Sequence, residues 1–306
     1  MARGSTLGLF VLLGALWGGS FVAIEVGLAY FPPMLFASAR FYIAGIAILG
    51  FALLTTPRWR PRDRVEWLVV TIAGAFMIAG HHALLYLGIP YITGAVAAVI
   101  ISFGPVLTAV FSTILLDYRL TRVGAIGFGL GLSGIVLVSQ PDPANLLTAS
   151  VIGVALVFLA AILWALGSVL TRPYRTELPV QSLQAWAMLI GALLLHGVAF
   201  LDGESLGAVE WSTVAVWSLG YLGFASGALA FLIYFELLDR LGPAEINLVG
   251  YLEPVAAAVI SYFVLGQLLD APAVVGFLAI FAGFALIKRG VLARKIAAVV
   301  RLIGAS

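Results

Sequence analysis

The sequence predicts an all-α integral membrane protein in which ten transmembrane helices form two inverted five-helix repeats. Three observations support this fold class. The composition is 63% hydrophobic and 10% charged, whereas typical globular proteins are about 25% charged. Apolar segments of about 20 residues, the length that crosses a bilayer, recur along the chain. One of them, with a proline at its middle, returns 149 residues later.

The returning segment indicates an internal duplication. It covers residues 94–117, and its counterpart covers residues 243–266. Pro105 in the first segment aligns with Pro254 in the second. Because proline lacks an N–H, each one leaves a helical carbonyl without its partner, and lipid tolerates this only where the group faces protein or a wet cavity. The aligned prolines predict a duplicated fold with a hinge in each copy.

Charged, proline-rich and glycine-rich breaks divide the chain into ten predicted spans, numbered 1 to 10 below. They cover residues 5–27, 33–54, 66–88, 92–116, 121–139, 150–171, 180–201, 211–237, 243–266 and 271–288. The first repeat is predicted at residues 1–139, the second at 150–288, and a basic tail at 289–306. An odd number of spans per repeat inverts the second repeat. Such repeats are typical of secondary transporters with a substrate site near the midplane between them.

The distribution of charge predicts the orientation. Fifteen of the sixteen basic residues, Arg119 among them, lie in connections on one side or at the termini, and the exception is Arg40 inside span 2. The charged residues in the opposite connections are all acidic. These are Asp142, Asp202, Glu204, Glu210 and Asp270. By the positive-inside rule, both termini are expected in the cytoplasm.

Several side chains inside the spans are candidates for function. Trp17 in span 1 and Trp164 in span 6 lie mid-helix, where anchoring at the membrane interface does not explain them. This position favours one of two roles for each tryptophan, lining a cavity or packing against small residues. Glu25 and Arg40 are expected at similar depth, as a structural ion pair or an external gate. Glu253, next to Pro254, is a further candidate for a gate or for cation binding.

Span 3 contributes two adjacent histidines, His81 and His82, about 100° apart on the helix, so at most one is expected to face a cavity fully. Each is either a structural histidine or a group that binds a carboxylate or relays a proton. Tyr86 and the serines Ser20 and Ser102 add hydroxyl groups to an aromatic site. Such a site suits a small zwitterionic or amphipathic solute.

Other classes of function lack support in the sequence. The basic residues form no continuous surface for nucleic acid. The chain contains no cysteine, and no HExxH, GxSxG or P-loop motif, so neither an enzyme nor a cofactor is expected. The two histidines and Glu253 lack the geometry of a metal site, so no metal is expected. Glycine pairs such as Gly127 and Gly131 allow close helix packing within one subunit, and a homodimer through spans 5 and 10 stays open beside a monomer.

Three motifs resemble the EamA family of the drug/metabolite transporter superfamily. They are LWGGSFVAIEVGL, YLGIPYITGAVAAVIISFGPVLTAVFSTILL and FELLDRLGPAEINLVGYLEPVAAAVISYFVLGQ. The resemblance covers residues 5–288 and implies a ten-helix exporter of the bacterial inner membrane, surrounded by lipid, with a central cavity between the repeats. Similarity to the YddG type of amino-acid exporter implies amino acids, aromatic ones included, as substrates. Glu25 departs from the family pattern, in which many members carry lysine.

By motif position, the resemblance implies a substrate-binding cavity lined by eight side chains. They are Trp17, Ser20, His82, Tyr86, Ser102, Trp164, Tyr234 and Tyr251. We expect Trp17, Trp164 and Tyr251 to form its walls, while His82 and Ser20 bind polar groups. The sequence therefore predicts export by alternating access. A multidrug or organic-cation exporter that uses Glu253 is an alternative, and so is a channel or receptor.

Overall fold

The computed structural model describes residues 3–116, 121–141, 145, 147–246 and 248–303. Arg119, Asp142 and residues 304–306 of the predicted tail lie outside the described residues. Within the described part, the regular elements are helices. Eight helical segments are long and apolar enough to cross a membrane, and two shorter apolar helices, Val249–Leu265 and Ala271–Ile287, complete the ten spans.

The helices follow the predicted spans in order. Spans 1 to 5 consist of the α-helices Arg3–Gly27, Pro33–Thr55, Arg64–Ile72, His81–Gly88, Gly94–Ile101, Gly104–Leu115 and Arg122–Ser139. Spans 6 to 10 consist of Ala149–Leu170, Val180–Leu201, Thr213–Gly220, Ala230–Leu241, Pro243–Ile246, Val249–Leu265 and Ala271–Ile303. Short 3-10 turns occur at Ile89–Tyr91 and Leu206–Ala208. The last helix continues beyond span 10 to Ile303, through most of the predicted basic tail.

Side-chain oxygens satisfy the backbone donors at several helix starts. A hydroxyl or carboxylate at the N-cap accepts a hydrogen bond from an N–H that has no partner within the helix. The N-cap residues Thr93, Thr121, Thr148 and Ser212 act in this way. Glu204 does the same for span 2 from a distant loop, because its carboxylate accepts from the backbone N–H groups of Met34 and Leu35 at 3.1 and 2.7 Å. These contacts fix where the helices begin.

The packing of span 5 on span 10 reveals the inverted symmetry. Gly134 lies so close to Gly276 that an added Cβ at Gly134 would be 2.6 Å from the Gly276 carbonyl oxygen. Gly127 packs in the same way on Gly283. In the repeat alignment, Gly127 corresponds to Gly276 and Gly134 to Gly283. The two contacts therefore exchange when the repeats are exchanged, as a two-fold axis requires. Glycine permits this close approach because it has no Cβ.

Spans 3 and 8, the third helices of the two repeats, share an irregularity. Each contains a π-helical segment, Ala73–Gly80 in span 3 and Tyr221–Leu229 in span 8. The two segments begin 148 residues apart, so they occupy matching positions in the repeats. π-Helical turns are rare and occur frequently at functional sites. In this chain, one segment ends directly before His81 and the other begins with Tyr221.

The aligned prolines lie in different local structures. Span 4 is interrupted at Ser102 and Phe103, and a new helix begins at Gly104, one residue before Pro105. In span 9 the corresponding helix begins at Val249, so Pro254 lies inside it. The two copies of the same sequence feature therefore adopt different backbone arrangements.

Candidate functional site

A chain of rings in edge-to-face contact joins span 3 to spans 2 and 6. The His82 ring lies 4.4 Å from the Phe41 ring and 4.5 Å from the His81 ring, measured between centroids. The His81 ring in turn lies 5.1 Å from Trp164. Both histidines are buried. Trp164 of the second repeat therefore packs against span 3 of the first repeat, and His82 is connected to Trp164 through His81.

A second aromatic cluster occupies the symmetry-related position. Trp17 of span 1 packs on Phe231 at 5.2 Å and on Tyr234 at 5.5 Å, both from span 8. Span 1 therefore contacts span 8 through its tryptophan, just as span 6 contacts span 3 through Trp164. The Tyr221 hydroxyl, also from span 8, donates to the Leu16 carbonyl oxygen at 2.9 Å. Each mid-span tryptophan consequently lies against the third helix of the opposite repeat.

Arg40 borders the first of these clusters. Its Nη1 donates to the Tyr86 hydroxyl at 3.3 Å, and its guanidinium carbon lies 4.6 Å from the centroid of the Phe41 ring. Its charge also acts electrostatically on His81, His82 and Tyr221. Tyr221 belongs to the second repeat, and its hydroxyl bonds the backbone of the residue before Trp17.

The remaining candidates are placed differently. The Ser20 hydroxyl donates to the Trp17 carbonyl oxygen and the Ser102 hydroxyl to the Val99 carbonyl oxygen, both at 2.6 Å, so each donor is used within its own helix. Tyr251 packs on Phe281 and Phe284 of span 10, at 5.4 and 4.6 Å between ring centroids, and belongs to neither ring cluster. Its hydroxyl is buried without a hydrogen-bond partner among the described residues.

The predicted ion pair between Glu25 and Arg40 is not formed. The Glu25 carboxylate instead accepts hydrogen bonds from the Gly94 backbone N–H at 2.6 Å and from Gln267 Nε2 at 2.9 Å. Gly94 is the first residue of its helix, where N–H groups lack partners within the helix and the helix dipole favours an anion. The carboxylate therefore binds the start of span 4 and the Gln267 side chain, and it does not bind Arg40.

Contacts at opposite ends of the molecule are related by the repeats. At the predicted outer end, the outer contact consists of Glu25, Gln267 and Ser261, whose hydroxyl bonds the Gln267 side-chain oxygen at 3.1 Å. At the predicted inner end, the inner contact consists of Arg172, whose Nη1 donates to the Ser112 hydroxyl at 3.1 Å. Ser112 and Ser261 are matched in the repeat alignment.

The charged members of these contacts are matched as well. Glu25 follows Trp17 by eight residues, and Arg172 follows Trp164 by the same number. Each contact therefore joins the end of the first span of one repeat to a serine in the fourth span of the other.

Glu253 stands apart from both contacts. It is half-buried, and its carboxylate has no hydrogen bond or ion pair among the described residues. Within the same part of the chain, no three His, Asp or Glu side chains lie close enough together to hold a metal ion.

Inspection of the sequence missed Tyr221, Gln267 and Arg172. Tyr221 lies in the middle of its span, as the two tryptophans do, and this depth could have marked it as a candidate. Gln267 and Arg172 lie at span ends, where polar residues are common. Only the match between Ser112 and Ser261 could have drawn attention to their partners. The π-helical segments have no evident signature in the sequence.

Comparison with known proteins identifies the family. The EamA-like transporter family matches residues 5–140 and 151–289. The uncharacterized transporter YvbV of Bacillus subtilis is 28% identical over 95% of this chain and 94% of its own length. The uncharacterized inner membrane transporter YedA of Escherichia coli is 27% identical over 86% of this chain and 84% of its own. A solved crystal structure, at 21% identity, superposes with a TM-score of 0.65 over 96% of this chain and 99% of that chain. The chain belongs to the EamA-like transporter family and is a multi-pass membrane transporter.

Proposed function

We propose that this transporter exports amino acids, aromatic ones included, across a bacterial inner membrane by alternating access, with both termini in the cytoplasm. The orientation rests on the basic connections, and one relative is named as an inner membrane protein. The two repeats are proposed at residues 1–139 and 150–288. The site is proposed at the interface of the repeats, around Arg40 and the rings of Trp17 and Trp164.

The observation that carries this mechanism is the matched pair of contacts at the two ends. The outer contact joins span 1 to span 9, and the inner contact joins span 6 to span 4. Both contacts are formed in this structure, which is therefore closed at both ends. In the proposed cycle one contact opens while the other stays formed, and the substrate is exposed to one side at a time. The different backbone at Pro105 and Pro254 supports such an exchange, because the exchange requires each sequence copy to take up the arrangement that the other holds in this structure.

The aromatic clusters and the charge of Arg40 support amino acids as the substrate class. Aromatic walls with a few fixed polar groups are typical of sites for small amphipathic ligands. A phosphorylated sugar would require several Lys or Arg side chains inside the membrane, and Arg40 is the basic residue within the spans.

Counterflow in proteoliposomes tests this proposal. Vesicles that contain the full chain are loaded with one unlabelled amino acid from a panel, and uptake of labelled phenylalanine is followed. We expect amino-acid loads to accelerate uptake in a saturable manner. A carrier with substrate bound reorients across the membrane faster than an empty carrier. Uptake that is unaffected by every load and does not saturate would indicate a channel or a receptor and overturn the proposal.

A second candidate is an organic-cation exporter. The unpaired carboxylate of Glu253 favours it, since an anion inside a membrane protein can serve as a cation site. The same vesicles loaded with organic cations distinguish the two substrates. Acceleration by cations that is lost in Glu253→Gln, together with no effect of amino acids, would select this second function.

A further inference from the structure

We propose that Arg40 binds the carboxylate of the transported solute, an inference that rests on the proposed function and narrows its substrate class. Arg40 is 5% exposed and lies seven residues after Pro33, which places it about 10 Å along span 2 from its predicted outer end. A charged side chain at such depth is expensive in a membrane protein and is normally paired.

The protein supplies Arg40 with little compensation. A guanidinium carries five N–H groups. One of them donates to Tyr86 at 3.3 Å, and no carboxylate lies within ion-pair distance among the described residues. Its Nε is buried and has no hydrogen-bond partner in the same part of the chain. A buried cation with unused donors is therefore available for an anion from outside the chain.

The fold itself does not require this charge. Span 7 is the repeat counterpart of span 2, and Ala187 and Met188 stand at the depth that corresponds to Arg40. Both are fully buried. Because the symmetric position is filled by apolar side chains, the arginine is not needed to build the helix pair. A function specific to the first repeat accounts for it better.

His82 is suited to bind the ammonium group of an amino acid. The Nδ1 of His82 lies 2.9 Å from the Ile78 carbonyl oxygen. A carbonyl oxygen only accepts, so Nδ1 carries the proton, and Nε2 of the neutral ring is left as an acceptor. That atom can accept a hydrogen bond from an ammonium group, while Arg40 donates to the carboxylate.

The specificity of counterflow tests the assignment. Phenylalanine, phenylalaninamide, 2-phenylethylamine and 3-phenylpropionate compete with labelled phenylalanine in vesicles that contain the wild-type chain. The amide and the amine lack the carboxylate. We expect both to compete on the order of 10- to 100-fold more weakly than phenylalanine, the range that a charged hydrogen bond accounts for. 3-Phenylpropionate keeps the carboxylate and tests whether the ammonium group is also required.

Variants test the residue itself. Arg40→Gln should weaken competition by phenylalanine by a similar factor and leave competition by 2-phenylethylamine unchanged, whereas Arg40→Lys should retain part of the affinity. Arg64→Gln is the matched control, because Arg64 is exposed at the start of span 3. If Arg40→Gln fails to fold, the Arg40→Lys variant and the analogue series on the wild-type chain still show whether Arg40 binds the carboxylate.

The outcomes separate this inference from the proposed function. Equal competition by acid and amide, or undiminished phenylalanine affinity in folded Arg40→Gln, would overturn the role of Arg40 while amino-acid transport stands. If no amino acid moves but 3-phenylpropionate binds in an Arg40-dependent manner, the amino-acid proposal falls and the carboxylate site stands. If no compound with a carboxylate binds, both the amino-acid proposal and the role of Arg40 are wrong.

Discussion

Trp17 is the residue at which one substitution should separate transport from folding. Its ring is half-buried against Phe231 and Tyr234, at the interface of spans 1 and 8. Trp17→Ala removes a wall of the proposed site, and we expect counterflow to fall to the background of empty vesicles. Each ring pair contributes about 0.5–1.5 kcal/mol beyond the surface that it buries, and because the ring is only half-buried we expect expression to persist. Counterflow and membrane expression are the two measurements.

Trp217 provides the matched control for this prediction. It also belongs to span 8, but it is 74% exposed in the isolated chain and faces outward. Trp217→Ala should therefore leave counterflow near the wild-type rate. Normal flux in Trp17→Ala would remove the tryptophan from the site.

Depth within the membrane was predictable from the sequence, whereas the direction of a side chain was not. Arg40 and the two histidines were expected inside the spans and are buried there. Glu25 was expected beside Arg40 because their depths are similar. It binds the start of span 4 instead, because position along one helix does not determine which neighbour the side chain faces. The roles of the eight predicted lining residues stay predictions.

At the scale of the element, the start of span 3 depends on one buried carboxylate. Glu66 is 1% exposed and accepts from Arg58 Nη2 at 2.5 Å and from the Arg62 backbone N–H at 2.8 Å. Glu66→Ala leaves the mostly buried Arg58 short of its partner. We expect a loss of about 2–3 kcal/mol in unfolding free energy, below the full range for buried pairs because Arg58 is partly exposed. Unfolding in detergent micelles would measure it.

Glu177 offers a control with the same partner. Its carboxylate binds Arg58 Nη1 at 2.6 Å, but its side chain is 90% exposed. Water screens such a pair, so Glu177→Ala should change stability much less than Glu66→Ala. Equal losses in the two variants would contradict the idea that burial of Glu66 determines the effect.

The π-helical segments explain part of what sequence reasoning could not supply. A period of 3.6 residues assigns positions to helix faces, but a π-helical segment changes the phase of every residue that follows it. His81 and His82 come directly after such a segment. The two histidine rings meet edge to face, and His81 continues the contact to Trp164 while His82 contacts Phe41.

The whole molecule is organised by the inversion, and this feature was predictable. The aligned prolines and the odd number of spans per repeat predict it, and the exchanged glycine contacts of spans 5 and 10 display it. The difference between the repeats was not predicted, because the residues after Pro105 and Pro254 match at several positions and drew attention away from the three residues before each proline, which do not match. In the structure, Pro105 lies in the first turn of its helix and Pro254 lies inside its helix.

Cross-linking tests whether both end contacts must open during transport. The chain contains no cysteine, so an introduced pair reacts alone. Glu25→Cys with Gln267→Cys probes the outer contact, and Ser112→Cys with Arg172→Cys probes the inner contact. Since alternating access requires each end to open in every cycle, bridging either pair with a short bifunctional thiol reagent should abolish counterflow. Each single-cysteine variant, treated identically, should retain its untreated rate. Full counterflow after complete bridging of one pair would mean that this end does not open, and the symmetric exchange of the repeats would then be wrong.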